Sequence, residues 1–140
     1  MQYARDNNDS NEIAFVFRKD LTDKSVFLGS DNVVDFGNEL FGKGDGLFIM
    51  HNHPRNSSFS NADIVQFISE NNIKHMSVVK NNGMVEILSK TNMYDQRTAV
   101  IEWQRAIDKY VARGISSEYD VAMKKLIAKL NKKGYVRWIN

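Results

Sequence analysis

Two histidines with one residue between them, His51 and His53, could bind a common ligand. They follow the apolar stretch LFIM, which predicts a β-strand, and residues i and i+2 of a strand project from the same face. Asp63 lies in the first turn of a predicted helix that begins at Ser60, so its carboxylate can fold back toward both rings. Two imidazoles and one carboxylate suit Zn²⁺, and three protein ligands leave a fourth position for water, as in catalytic zinc sites.

Each half of this pattern also has a structural interpretation. Most His-x-His sequences bind no metal. The sequence Ser60-Asn61-Ala62-Asp63 resembles a capping box, with Ser60 as the helix N-cap and Asp63 bonding back to it. The combination favours a metal site, because an apolar strand, His-x-His-Pro, a short loop and Ser-x-x-Asp at a helix start seldom occur together by chance.

These residues resemble the signature of the JAB/MPN (JAMM) metalloproteases, in which a distant glutamate precedes His-x-His-Pro, a loop and Ser-x-x-Asp. The segment His51-Asn52-His53-Pro54 is closest to the bacterial RadC-like branch, and the resemblance spans roughly residues 12–90. The loop of residues 54–59 is one residue shorter than in the family pattern, and Phe59 stands where proline is common. This departure bears on loop shape and substrate contacts more than on metal binding.

The resemblance implies a zinc metallopeptidase or isopeptidase that hydrolyses amide or isopeptide bonds in a protein or peptide substrate, in a bacterium, phage or mobile element. Zinc on His51, His53 and Asp63 would activate water, and Ser60 would hydrogen-bond the oxyanion. An upstream glutamate would act as general base.

Two glutamates are candidates for that base. Glu12 opens the first predicted strand, and Glu39 lies in a predicted helix. We favour Glu12, because a carboxylate at a strand end can reach the end of a neighbouring strand. Arg55 and Asn56 border the site and are candidate substrate contacts.

Two other functions compete with hydrolysis. One is a catalytically silent JAB-like binding module, against which the complete set of five site residues argues. The other is a RadC-like nucleic-acid-associated protein. Residues 101–140 carry a net charge of +5 within a chain of net charge +2, and such a basic segment can contact nucleic acid or an acidic partner. We favour a solvated helix face, since no nucleic-acid-binding motif accompanies it.

The elements that position these residues follow the order β-β-α-β-α-β-β, then α-α. Strands are predicted over 12–18, 25–28, 47–50, 75–79 and 84–88, and helices over 33–41, 60–71, 99–111 and 119–130. Residues 135–139 either pack back or form a further strand. We therefore expect an α/β fold, a mixed sheet flanked by helices with a two-helix C-terminal extension, which the resemblance equates with the JAB/MPN, cytidine-deaminase-like architecture.

Apolar periodicity also predicts which faces are buried. In the first strand, Ile13, Phe15 and Phe17 lie on one face. The predicted helix stripes are Ile64, Val65, Phe67 and Ile68; then Ala99, Val100, Trp103, Ile107 and Val111; then Tyr119, Met123, Leu126, Ile127 and Leu130.

Composition restricts the classes of protein to which this chain can belong. The chain has 140 residues, 42% hydrophobic and 26% charged, which is typical of one folded domain. We expect a loose leader over 1–11, the catalytic domain over 12–90 and the helical extension over 91–140. The absence of cysteine excludes disulfides and thiolate metal sites. No apolar run is long enough for a membrane span and residues 1–11 lack a signal-peptide core, so we expect a cytoplasmic protein without a membrane partner.

Overall fold

The computed structural model describes Tyr3 and residues 11–22, 24–29 and 44–140. These residues form six strands and three α-helices that share one sheet and one core. The elements are β1 (Ile13–Phe17), β2 (Ser25–Leu28), β3 (Leu47–His53), α1 (Asn61–Ser69), β4 (Ile73–Lys80), β5 (Val85–Lys90), α2 (Gln96–Tyr110), α3 (Ser116–Lys132) and β6 (Val136–Ile139).

The six strands form a mixed sheet in the order β2-β1-β3-β4-β5-β6. Its one parallel pair among the described strands is β3 and β4, which α1 connects, while the other neighbours are antiparallel. The β4–β5 hairpin turns at Asn81-Asn82-Gly83, where Gly83 has φ 85°, a left-handed conformation that glycine adopts without strain. The expected α/β class with a mixed sheet flanked by helices is confirmed.

The main core lies between the sheet and the three helices. The helix residues in it are Ile64, Phe67 and Ile68 of α1, Ala99 and Ala106 of α2, and Ala122, Met123, Leu126, Ile127 and Leu130 of α3. The central strand β3 adds Leu47 and Ile49, which carry no polar atoms that would need a partner there. Burial of α1 against the sheet holds its N-terminus near the end of β3.

The face of β1 that carries Ile13, Phe15 and Phe17 is buried only in part, although Ile13 is 2% exposed. Ala14 and Val16 are the β1 residues in the core cluster, whereas Phe15 and Phe17 on the other face are half-buried. The Tyr3 ring packs edge-on against Phe15, with centroids 5.2 Å apart. Both faces of this strand are therefore apolar, and the smaller side chains face the core.

Two helix stripes are corrected. Val65 is 37% exposed and Val100 is 42% exposed, so neither lies on a fully buried face. In α2 the buried residues are Ala99, Glu102 and Ala106, a spacing of three and four that leaves Val100 one position off the contact face. The periodic pattern located both helices correctly but included these neighbours because they are apolar.

The chain after residue 90 contributes a strand as well as two helices. β6 pairs antiparallel with β5, which decides between the two alternatives for residues 135–139. The predicted helix over 33–41, with Glu39, lies outside the described residues, as does nearly all of the predicted leader. The domain boundary at residue 90 stays a prediction. None of the described helices combines the length and apolar character that a membrane span requires.

Candidate metal centre

The end of β3 brings two imidazoles together. The strand extends three residues further than predicted, to His53, so His51 and His53 project from one face. Both are nearly inaccessible to solvent, and their Nε2 atoms lie 3.1 Å apart. The prediction that these histidines share a site is confirmed at the level of geometry.

The start of α1 supplies a carboxylate to the same place. Ser60 is the N-cap: its Oγ accepts from Asp63 N at 3.1 Å, and Ser60 N donates to Asp63 Oδ2 at 2.7 Å. The same carboxylate lies 3.2 Å from His51 Nε2 through Oδ1 and 3.2 Å from His53 Nε2 through Oδ2. Asp63 therefore completes the predicted capping box and also lies close enough to both histidines to bind a metal ion with them.

The hydrogen bond on the far side of His53 fixes its tautomer. His53 Nδ1 lies 3.1 Å from the Ser57 carbonyl oxygen and 3.0 Å from Ser57 Oγ. Because a carbonyl oxygen can only accept, Nδ1 carries a hydrogen, and in the neutral ring Nε2 presents its lone pair. This is the arrangement found where a histidine binds a metal and a neighbouring group orients the ring.

The lone pair of His53 Nε2 faces negative charge. Asp63 Oδ2 lies 3.2 Å away and Glu12 Oε1 lies 3.5 Å away, and Glu12 is only 3% exposed. A lone pair beside two carboxylates is repulsive in a site of low dielectric unless a cation or a proton lies between them. The arrangement therefore favours either a bound cation or a proton on this nitrogen.

The same field shifts the pKa values of the cluster. Burial lowers the pKa of His53, but the hydrogen bond and charge of Asp63, with the charge of Glu12, outweigh it and raise that pKa above its usual value. Burial raises the pKa of Asp63, but the charges and hydrogen bonds of His51 and His53 hold it well below its usual range. All these interactions stabilise positive charge among the three side chains.

The donor set fits a divalent metal ion. Zinc bonds to histidine nitrogen and carboxylate oxygen of about 2.0–2.1 Å place tetrahedral ligand atoms about 3.3 Å apart. The two Nε2 atoms here are 3.1 Å apart, and each lies 3.2 Å from a different oxygen of Asp63. His51, His53 and Asp63 therefore lie close enough together to hold a metal ion, and they are the one such cluster among the residues that the structure describes.

Asn52 lies between the two histidines in β3, and its side chain, on the opposite face of the strand, bonds to β1. Its Oδ1 accepts from Ile13 N at 2.6 Å, next to Glu12, and it is 6% exposed. This bond fixes the start of β1 and hence the position of the Glu12 backbone. One signal in the sequence could have indicated this role, since a polar residue between two buried histidines must find a partner.

The loop between β3 and α1 is attached to the β4–β5 hairpin at two points. Asn56 Oδ1 accepts from Asn82 N at 2.7 Å, and Ser58 Oγ donates to Glu86 Oε2 at 2.8 Å. Asn56, with φ 58°, adopts a left-handed conformation that asparagine tolerates. The Asn56 side chain thus holds the loop to the hairpin, while Arg55 is exposed on the same loop.

Glu86 is a buried carboxylate that sequence reasoning missed. It is 4% exposed, and besides Ser58 it pairs with Lys80 Nζ at 2.5 Å and accepts from Trp138 Nε1 at 3.2 Å. Phe59, the residue that departs from the family pattern, is buried in the core with its ring centroid 6.3 Å from that of His51. No local motif marks either role, because both depend on contacts between distant segments.

Comparison of the chain with protein-family models, with curated proteins and with solved structures found no match in any of the three.

Proposed function

We propose that this protein is a zinc-dependent hydrolase of amide or isopeptide bonds, of the JAB/MPN (JAMM) type. The observation that carries the proposal is the convergence of His51, His53 and Asp63, with the Glu12 carboxylate 3.5 Å from His53 Nε2. Nitrogen and oxygen donors at these separations suit zinc, and three protein ligands are the number typical of a catalytic zinc site.

Zinc in this position supplies a Lewis acid that makes water nucleophilic near neutral pH. The chain supplies the proton transfers. The buried Glu12 carboxylate lies beside the ligand atoms, where it can accept a proton from the attacking water and pass it to the leaving amine. Its burial excludes competing bulk water from the proton path.

Ser60 can stabilise the negative charge that develops on the carbonyl oxygen. Its Oγ accepts from Asp63 N, which uses a lone pair and leaves the hydroxyl hydrogen able to donate. A donor held by a helix cap needs little reorganisation during the reaction, which is what makes such groups effective. Its two functions are therefore compatible.

The test loads the protein with zinc and measures metal content and hydrolysis together, on a library of peptides and of isopeptide-linked lysine substrates. We expect one zinc per wild-type chain, none in His53→Ala, and cleavage that depends on zinc. Glu12→Gln keeps the shape and removes the proton acceptor, so it should bind zinc and lose roughly 10²- to 10⁴-fold in rate.

The two readouts separate the competing functions. A protein that binds one zinc but cleaves nothing in the library would be a silent binding module. If wild type binds no zinc after reconstitution, the metal site itself is refuted. Full activity in Glu12→Gln would remove Glu12 from the mechanism.

A further inference from the structure

A second candidate site lies between α2 and α3. The two helices border an open cavity of about 270 Å³. The wall between the helices is apolar, with the buried residues Ala106 and Leu126 and the half-buried Tyr110. None of the candidate metal-site residues lines this cavity.

The polar lining of this cavity is strongly basic. Among the described residues that line it, Glu102 is the one carboxylate and four side chains are cationic: Arg105, Lys109, Lys125 and Lys129. The cations on the α2 side and those on the α3 side face the same space. The helices therefore place more positive charge around the cavity than its own residues neutralise.

Glu102 organises part of this charge. It is 4% exposed, and its carboxylate pairs with Arg105 Nη1 at 2.9 Å, with Lys129 Nζ, and with Lys133 Nζ at 3.8 Å. A single buried carboxylate holds three cations, whose side chains are about half or more exposed. Arg105 and Lys129 are thus fixed at the cavity with donors left for another acceptor.

We propose that this cavity binds the phosphate groups of a small polyanion, such as pyrophosphate or a nucleoside polyphosphate. Guanidinium and ammonium groups form charge-assisted hydrogen bonds with phosphate oxygens, and arginine can do so through two nitrogens. A concave site of this volume suits a small ligand. An extended nucleic acid would instead follow the basic residues outside it, including Lys124, Lys132 and Arg137.

Calorimetric titration at low ionic strength tests the proposal with three probes: pyrophosphate, adenosine triphosphate and adenosine. Pyrophosphate and the triphosphate should bind and adenosine should not, since the phosphates carry the recognition. Equal affinity for pyrophosphate and the triphosphate would show that the site recognises phosphate groups alone. Tighter binding of the triphosphate would show that the site also contacts the nucleoside. Either result supports the site, and binding of neither would overturn it.

Matched lysine variants locate the binding. Lys125→Ala and Lys109→Ala each remove a cation that lines the cavity and is not paired with Glu102, and each should weaken pyrophosphate binding about fivefold. Lys132→Ala removes the same charge from α3 outside the cavity and should leave the affinity unchanged. Equal weakening in all three would indicate a diffuse basic surface and refute the cavity.

One variant should bind pyrophosphate more tightly than the wild type does. Glu102→Gln removes the lining carboxylate and frees Arg105 and Lys129, so pyrophosphate should bind several-fold more tightly. Asp108→Asn, on the exposed part of α2, raises the net charge equally and should not. Equal gains in both would refute the site, and the lysine variants decide the matter alone if Glu102→Gln does not fold.

Two further measurements test whether the anion binds elsewhere or the cations bind nucleic acid. His53→Ala should bind pyrophosphate as wild type does, because the cavity is separate from the candidate metal centre. Loss of binding in His53→Ala would place the anion at the metal centre and overturn the proposal. A DNA oligonucleotide that binds more tightly than pyrophosphate, and whose binding Lys132→Ala weakens as much as Lys125→Ala does, would assign these cations to nucleic acid instead.

Discussion

Among single residues, Ser60 combines a structural role that is visible with a catalytic role that is proposed. It caps α1 through the reciprocal bonds with Asp63. Loss of an N-cap serine to alanine costs about 1 kcal/mol of stability, whereas glycine costs only a few tenths. The two roles can therefore be separated by comparing the two substitutions.

We expect Ser60→Gly to unfold near the wild-type temperature and to lose roughly 10²-fold in kcat, because it lacks the oxyanion donor. Ser60→Ala should lose a similar factor in kcat together with about 1 kcal/mol of unfolding free energy. Zinc content should stay at wild-type level in both. Wild-type turnover in Ser60→Gly would leave Ser60 as a helix cap and nothing more.

Lys90 provides a pH-dependent prediction outside the site. It is 6% exposed, donates from Nζ to the Glu70 carbonyl oxygen at 2.8 Å, and lies over the rings of Phe67 and Tyr94. Burial lowers the pKa of Lys90 to about 8, against about 10.4 in an unfolded chain. Between these values the unfolded chain binds more protons than the folded one.

The free energy of unfolding should therefore rise between pH 8 and 10 by a contribution that Lys90→Met lacks. Denaturant titrations of both proteins at several pH values measure that difference. The window ends near pH 10. Burial raises the pKa of Tyr94 in the folded chain, so above pH 10 this tyrosine ionises more readily in the unfolded chain and favours unfolding. A difference between the two proteins that does not change with pH would refute the assignment.

Local spacing predicted part of the site. His51, His53 and Asp63 were predictable because a strand end and a helix start fix their directions within a few residues. Glu12 was harder, since its place beside His53 depends on β1 pairing with β3. The roles of Asn52 and Ser57 were not predicted, because they arise from hydrogen bonds that only the folded chain makes.

Among the elements, the loop that joins β3 to α1 depends on the β4–β5 hairpin. Ser57 orients His53, and the next residue, Ser58, donates to Glu86. A change at Glu86 should therefore reach the metal ligands through the loop. Outer residues of this kind typically change metal affinity 10- to 100-fold.

We expect Glu86→Ala to weaken zinc binding by about tenfold or more, because Ser58 and Trp138 lose their acceptor and the loop loses an anchor. A metal competition assay measures the affinity. Leu88→Ala is the matched control: it lies in the same strand, is buried in the core and should cost about 2–5 kcal/mol of stability through its cavity. Its zinc affinity should stay at the wild-type value, and an equal loss in both variants would indicate a general effect of instability.

The order of the described elements was predictable, but some of their faces were not. Apolar strands, the Asn-Asn-Gly turn and two periodic helices have local signals that tertiary contacts did not override. In α1 and α2 the apolar pattern included Val65 and Val100, which are 37% and 42% exposed. The pairing of β6 with β5 has no local signal and depends on the turn at Gly134, whose φ is 83°.

For the whole molecule, β6 matters more than its four residues suggest. Val136 is buried in the core, and Trp138 bonds to Glu86 through its side chain and to Asn131 through its backbone. Removal of residues 135–140 would expose the edge of β5, which could then pair with other chains.

We expect that deletion to lower the unfolding free energy by about 2–4 kcal/mol, from lost apolar burial and ladder hydrogen bonds, and to promote aggregation. Thermal unfolding with light scattering measures both. Ile139→Ser is the control, because Ile139 is 51% exposed and should change little. A truncated chain as stable as wild type would show that β6 adds nothing to the core.

The double use of Asp63 shapes how this chain could change by descent. If the chain binds metal as proposed, a descendant that had stopped doing so would have no need for His51 and His53, whose burial is costly once they have no ion to hold. Asp63 would still be selected, because α1 needs its capping box with Ser60. Inactive relatives would then be recognised by lost histidines beside an intact Ser-x-x-Asp, and the aspartate alone would be a poor marker of a working site.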